Sequence, residues 1–127
     1  MQAVVRTITV DCRDPYRLAQ FWSQVFGTSM HPDDYPDDPE AIVNIGLEQP
    51  ALLFVCVPEP KSVKNRVHLD LEPSQPRDVD VARLQELGAT WVDDHRRPDG
   101  TGWVVLADPE GNEFCVLMSA AERATLT

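Results

Sequence analysis

Basic residues are scarce in this chain. Eleven lysines and arginines stand against 21 aspartates and glutamates in 127 residues, a formal net charge of −10. No Lys/Arg cluster occurs, and without one there is no footprint for a phosphate backbone, so nucleic acid is excluded as a partner. The acidity itself serves solubility. Cysteine is scarce too. Cys12, Cys56 and Cys115 are odd in number, widely spaced and set among apolar neighbours. That argues against a disulfide framework, and the lack of a Cys-x-x-Cys motif argues against a structural zinc. Each thiol is expected to behave as a small buried hydrophobe. No apolar run approaches the roughly 18 residues of a membrane span. The N-terminus lacks the pattern of a secretory signal, so a cytoplasmic protein without a membrane partner is expected.

What is present suits one soluble domain over residues 1–127, with 43% hydrophobic and 25% charged residues. Val4 to Cys12 is β-branched and alternates, which predicts a strand with Thr7, Thr9 and Asp11 on one face. Asp14 caps a helix with Pro15 in its first turn. Leu18, Phe21, Trp22, Val25 and Phe26 fall at helical spacing, and Gly27 ends it. Thr28 to Met30 reads as a short strand. The segment "HPDDYPDDPE" is loop, with Tyr35 a candidate lid residue. Ala41 to Leu47 and Ala51 to Val57 form a strand pair.

After a linker from Pro58 to Asn65 the pattern repeats. Arg66 to Glu72 alternates as a strand, with His68 and Asp70 on one face. A helix from about Asp78 to Leu87 closes at Gly88, and Ala89 to Val92 is a strand. "DDHRRPDGTG" is a polar loop. A hairpin follows, Trp103 to Ala107 and Glu113 to Met118, turned by Asp108-Pro109-Glu110-Gly111-Asn112. Residues 119 to 127 form a short helix or tail. The chain thus reads β-α-β-β-β twice, module one about residues 3–58 and module two about 66–118. Short hairpins within an α/β order demand mixed sheets with antiparallel pairs.

The segments "DPYRLAQFWSQVFG", "HLDL", "LQELGATWV" and "DPEGNEFCVL" span most of the chain. They resemble the vicinal oxygen chelate superfamily of glyoxalases, bleomycin-resistance proteins, fosfomycin-resistance enzymes and extradiol dioxygenases, in its glyoxalase-like domain branch. The resemblance implies an α+β fold of two βαβββ modules whose mixed sheet curls into a cup around a small-molecule site.

Metal-dependent members of that superfamily hold one divalent ion with four His and Glu ligands, and the ion polarises vicinal oxygens. Of those four positions, one keeps its residue here, His68. The first-strand His falls on Thr7 or Thr9, neither a usual ligand, with Asp11 on the same face. The last-strand Glu is replaced by Cys115, with Glu113 one pair nearer the turn. The fourth strand offers only Cys56. The resemblance therefore implies a metal-free site and no cofactor. A metal, if held, would use His68 with Asp11, Asp70, Glu113 or Cys115, and a thiolate with an imidazole would favour zinc.

The expected ligand-binding set is Thr7, Thr9, Asp11, His68, Asp70, Trp103, Glu113 and Cys115. His68 is the one candidate catalytic group, an imidazole tuned by Asp70 or Asp11. Trp22 is read as core. His95, Arg96 and Arg97 lie in the polar loop, and if that loop covers the site an arginine would meet an anionic ligand. Two functions compete: a small-molecule-binding protein of the resistance or sequestration type, and a metal-dependent lyase, isomerase or dioxygenase using His68. Edge strands need covering, and a two-fold contact is the commonest way to do it. A homodimer is expected, and light scattering at micromolar concentration should return twice the chain mass.

Overall fold

The Asp14-Pro15 pair ends a strand and begins a helix. In the computed structural model of the chain, which describes residues 2–126, β1 (Thr7–Cys12) leads into α1 (Pro15–Phe26). The Asp14 carboxylate accepts the Arg17 N–H at 3.2 Å. It thereby satisfies one of the amide donors that a helix start leaves without a partner. Gly27 closes the helix in the left-handed region at φ 70°, a conformation that costs glycine nothing. Two strands follow, β2 (Glu40–Val43) and β3 (Ala51–Cys56).

The fold divides into two compact units, Met1–Lys61 and Ser62–Thr127. In the first, the sheet order is β1-β3-β2, with β1 parallel and β2 antiparallel to β3. One face is buried: Ala41, Val43, Leu52 and Phe54, together with Leu18, Ala19, Phe21, Trp22 and Val25 of α1. Trp22 is core as expected, stacked on Phe26 and edge-on to Phe21. The opposite face of β1 carries Thr7, Thr9 and Asp11, all exposed.

The second unit contains β4 (Asp70–Leu71), α2 (Arg77–Leu87), β5 (Thr90–Asp94), β6 (Val104–Ala107), β7 (Glu113–Val116) and α3 (Ala120–Ala124). Its sheet runs β4-β7-β6-β5, parallel between β4 and β7 and antiparallel elsewhere. Val104, Leu106, Phe114 and Val116 make the buried face, and α2 buries Val81 and Leu84. The architecture is mixed α+β with two small mixed sheets, neither of them closed.

Several boundaries differ from the sequence reading. The strand expected at Thr28–Met30 is one isolated bridge, Met30 to Val43, so the first unit has three strands. The strand expected to reach Leu47 stops at Val43, because the chain turns before Pro50 with Glu48 left-handed at φ 61°. The strand expected from Arg66 shrinks to two residues, since the chain bends at Arg66 and Val67. The "DDHRR" segment is not a loop throughout. Asp93 and Asp94 belong to β5, and the pairing continues through His95 N–H to Trp103 O and Arg97 N–H to Thr101 O, both 2.8 Å.

The β6–β7 turn shows the strongest local determinant. Asp108 is 3% exposed. Its carboxylate accepts the Glu110 N–H at 2.9 Å, the Asn112 N–H at 3.0 Å and the Asn112 side-chain amide at 2.9 Å. Gly111 takes the left-handed conformation at φ 89°, and Asn112 does not. Asp108→Ala removes the charged acceptor from those half-buried donors, and a hydrogen bond to a charged group is worth about 1.5–3 kcal/mol. Urea unfolding of that variant should show a loss of that size at unchanged m-value.

Candidate functional site

Alternation gives the second sheet its open face. Cys115 on β7 pairs with Asp70 on β4 and with Val105 on β6, and Val105 pairs with Asp93 on β5. Asp70, Cys115, Val105 and Asp93 therefore form one row across four strands. Beside it lie Leu117, Trp103 and His95. These two rows floor a cavity of about 520 Å³ that also includes Lys64, His68, Val92 and Glu113.

Two His–Asp pairs stand at its ends. His68 Nδ1 lies 3.3 Å from Asp70 Oδ1, and His95 Nε2 lies 3.1 Å from Asp93 Oδ2. An ionised carboxylate only accepts, so the first contact is a hydrogen bond when Nδ1 of His68 carries the proton. In neutral His68 that leaves Nε2 with its lone pair, the form that accepts a proton or a ligand's N–H. Cys115 Sγ approaches the same Nδ1 at 3.8 Å. Burial, and after it the Asp70 charge, push the Cys115 thiol up to about 11. It is a neutral thiol at physiological pH and a weak nucleophile. Glu113 is fixed by accepting the Asn65 N–H at 2.9 Å.

The apolar wall is Val92, Trp103, Val105 and Leu117. The His95 ring stacks on Trp103 at 5.2 Å between centroids, and the Arg97 guanidinium lies 5.9 Å from the same ring. Arg96 is committed elsewhere: it bonds Asp94 and Asp78, both at 2.7 Å. The side-chain and main-chain hydrogen bonds from Arg96 hold the Asp94 carboxyl down at about 2. Neither Arg96 nor Arg97 lines the cavity, though Arg97 lies against Trp103, which does.

Of the sequence candidates, His68, Asp70, Trp103, Glu113 and Cys115 meet in this cavity. His68 sits just before β4 rather than within a strand. Thr7, Thr9 and Asp11 lie on the open face of the first unit's sheet. Cys56 shares the parity of Leu52 and Phe54 and so belongs to the other face of that sheet. Tyr35 is exposed in the acidic loop. Sequence reasoning missed Asp93, Val92, Leu117 and Lys64, and placed His95 only in a polar loop that could cover the site. The alternation of Asp93 and His95 was readable, but Pro98 and Gly100 disguised the strand extension. Val92 was not readable. A register shift between Trp91 and Asp93 places it in a bulge, which re-aims a side chain.

The family model described as a glyoxalase-like domain matches residues 7–117. No curated protein matches the chain. Solved structures similar to it include a mutant of the fosfomycin resistance protein FosX from Listeria monocytogenes, complexed with Mn(II) and 1S,2S-dihydroxypropylphosphonic acid. It is 15% identical, with 99% of this chain and 100% of that one covered, at a TM-score of 0.69. A glyoxalase/bleomycin resistance protein/dioxygenase family enzyme from Burkholderia phytofirmans PsJN is 19% identical, covering 90% and 97%, at 0.68. The oxidase ChaP-H2 is 24% identical, covering 93% and 94%, at 0.65. At these identities the likeness is one of fold.

The donor set does not match a hard divalent ion. Among the described residues, the one cluster with metal-ligating potential is His68, Asp70 and Cys115, whose donor atoms lie within 4.8 Å of one another. It offers three donors, one of them sulfur. Manganese and its like prefer oxygen and imidazole, while thiolate selects softer ions such as zinc. A thiol that ligates gives up its proton to do so.

That proton makes a stability signature. The unfolded thiol ionises near 8.5, and the folded one near 11. The folded state therefore keeps a proton the unfolded state releases in between. The contribution is whole below about 8.5 and is lost as pH rises through about 11. A shift of this size is worth up to about 3 kcal/mol. Unfolding free energies of the wild type should fall across that window by about this much more than those of Cys115→Ala.

Proposed function

The chain belongs to the glyoxalase-like domain family, and on that basis we propose that it is a small-molecule-binding protein of the resistance or sequestration type, with a metal-free site. The observation that carries this reading is the cavity on the open face of the second sheet: an apolar wall with a few convergent polar groups, the usual form of a small-molecule site. Trp103, Val105 and Leu117 take the ligand's apolar body. His68 Nε2 and the Asp70 carboxylate take its polar group. Three carboxylates, Asp70, Asp93 and Glu113, line the cavity against one ammonium, Lys64. That balance selects ligands that donate hydrogen bonds or carry a protonated amine over anionic ones.

The second reading, a metal-dependent enzyme, rests on the His68, Asp70 and Cys115 cluster. Its ion would be zinc, held by an imidazole, a carboxylate and a thiolate with a fourth position open.

Matched indoles separate ligand signs. Tryptamine, a cation, should raise the melting temperature saturably, as binding to the native state requires. Indole-3-propionate, an anion of similar size, should raise it far less. His68→Ala and Asp70→Asn should each weaken tryptamine binding by about tenfold or more, the loss of roughly one charge-assisted hydrogen bond. Equal shifts for both indoles, or affinities unchanged in both variants, overturn this assignment. Elemental analysis of the purified protein decides between the readings. About one zinc per chain, absent from His68→Ala, would favour the enzyme.

A further inference from the structure

Cys12 and Cys56 are far apart in sequence, yet the parallel pairing of β1 with β3 sets them in register as the last pair of the ladder. Neighbouring strands lie about 4.8 Å apart, inside the Cα–Cα window of about 4.4–6.8 Å that a disulfide spans. Residues opposite each other in a parallel pair project to the same face, so the two thiols stand on one side of the sheet. Each leans toward the other's strand. Cys12 Sγ lies 3.6 Å from the carbonyl oxygen of Val55, the residue before Cys56. Cys56 Sγ lies 3.5 Å from the carbonyl oxygen of Arg13, the residue after Cys12. Their accessibility differs: Cys56 is exposed and Cys12 is 3% exposed. Cys115 belongs to the other unit and is buried.

We propose that Cys12 and Cys56 form a reversible redox pair, closing to a disulfide across the ends of β1 and β3. The oxidant is a small-molecule disulfide of the oxidised glutathione class. The exposed Cys56 thiolate attacks one of its sulfurs, forming a mixed disulfide and expelling one thiolate. Cys12, giving up its proton, attacks Cys56 Sγ and expels the second. Two protein thiols lose two protons and two electrons, and the small disulfide takes them up as two thiols. The order of attack follows exposure, since access governs which thiol reacts first. The bond would clamp the end of β1, from which the chain passes through Arg13 to the Asp14 cap of α1, onto the end of β3. A cross-link between distant residues constrains the unfolded chain, so the oxidised protein melts at a higher temperature. Cys56 is exposed, and exposed disulfides reduce readily, which suits a switch rather than a permanent staple.

The test uses the full native chain in oxidised glutathione. The expected result is a thiol count falling from three to one, an intact mass lower by two hydrogens, and one linked pair of peptides containing Cys12 and Cys56. Dithiothreitol should reverse all three. Cys12→Ala should stop at a glutathione adduct on Cys56, and Cys56→Ser should keep its thiols. Cys115→Ala should still close the bond, which keeps the test valid if Cys12→Ala fails to fold. Wild-type protein that retains three thiols, or accumulates a stable Cys56 adduct with Cys12 still reduced, overturns the proposal. So does a linkage involving Cys115.

Discussion

The two-residue ladder between β4 and β7 is the contact on which the second unit's open face depends. It is short, but it is pinned on both sides. The Cys115 N–H donates to Leu69 O and the Leu117 N–H to Leu71 O, each at 2.8 Å. This pairing sets Asp70 beside Cys115 and brings His68 within reach of both. A slip of one residue would turn Leu71 to the open side and Asp70 into the core. Burying an unpaired carboxylate there is prohibitive, so the polar character of Asp70 fixes the register as firmly as the hydrogen bonds do. Glu113 adds a third tie, because its bond to the Asn65 N–H anchors the segment that delivers His68.

The same register explains the site's chemistry. Cys115 is buried between a carboxylate and an aliphatic wall, and both neighbours oppose its ionisation. Glutamate in that place would be a ready oxygen ligand. Cysteine is a neutral, weakly polar filler until something removes its proton. His68 then has Asp70 as its firm partner, which orients the ring and leaves Nε2 for whatever enters. The arrangement is repeated at the other end of the row by Asp93 and His95. There the imidazole also lies flat against Trp103, joining the polar and aromatic parts of the wall.

Much of this was legible in the sequence, for physical reasons that differ from place to place. The Asp14 cap and the Gly27 stop are local, and local signals survive in any context. Parity gathered His68, Asp70, Trp103, Glu113 and Cys115 onto one face, because side-chain alternation does not depend on the partner strand. What failed was non-local. Nothing near Arg66 says that its strand shortens to Asp70 and Leu71. The bulge that turns Val92 toward the cavity exists only against β6. The widely spaced cysteines argued against a disulfide, and only the β1–β3 register brings Cys12 opposite Cys56.

The far wall of the cavity owes its position to a buried arginine. Arg77 opens α2 and is 3% exposed. Its main-chain N–H donates to the Glu122 carboxylate at 2.8 Å, and its guanidinium donates to Gly100 O at 3.2 Å. Glu122 in turn closes the capping box of α3 through Ser119, and those main-chain donors hold its carboxyl below the usual range. Burial draws the Arg77 guanidinium below its ordinary value, and its Nε and Nη1 have no hydrogen-bond partner among the described residues. Its bonds join the β5–β6 tip, the start of α2 and α3. The Arg96 bridges to Asp78 and Asp94 reinforce the same junction from outside. The tip thus fixed carries His95 and Trp103, so the residues that shape the cavity's aromatic end are placed by charges that never touch it.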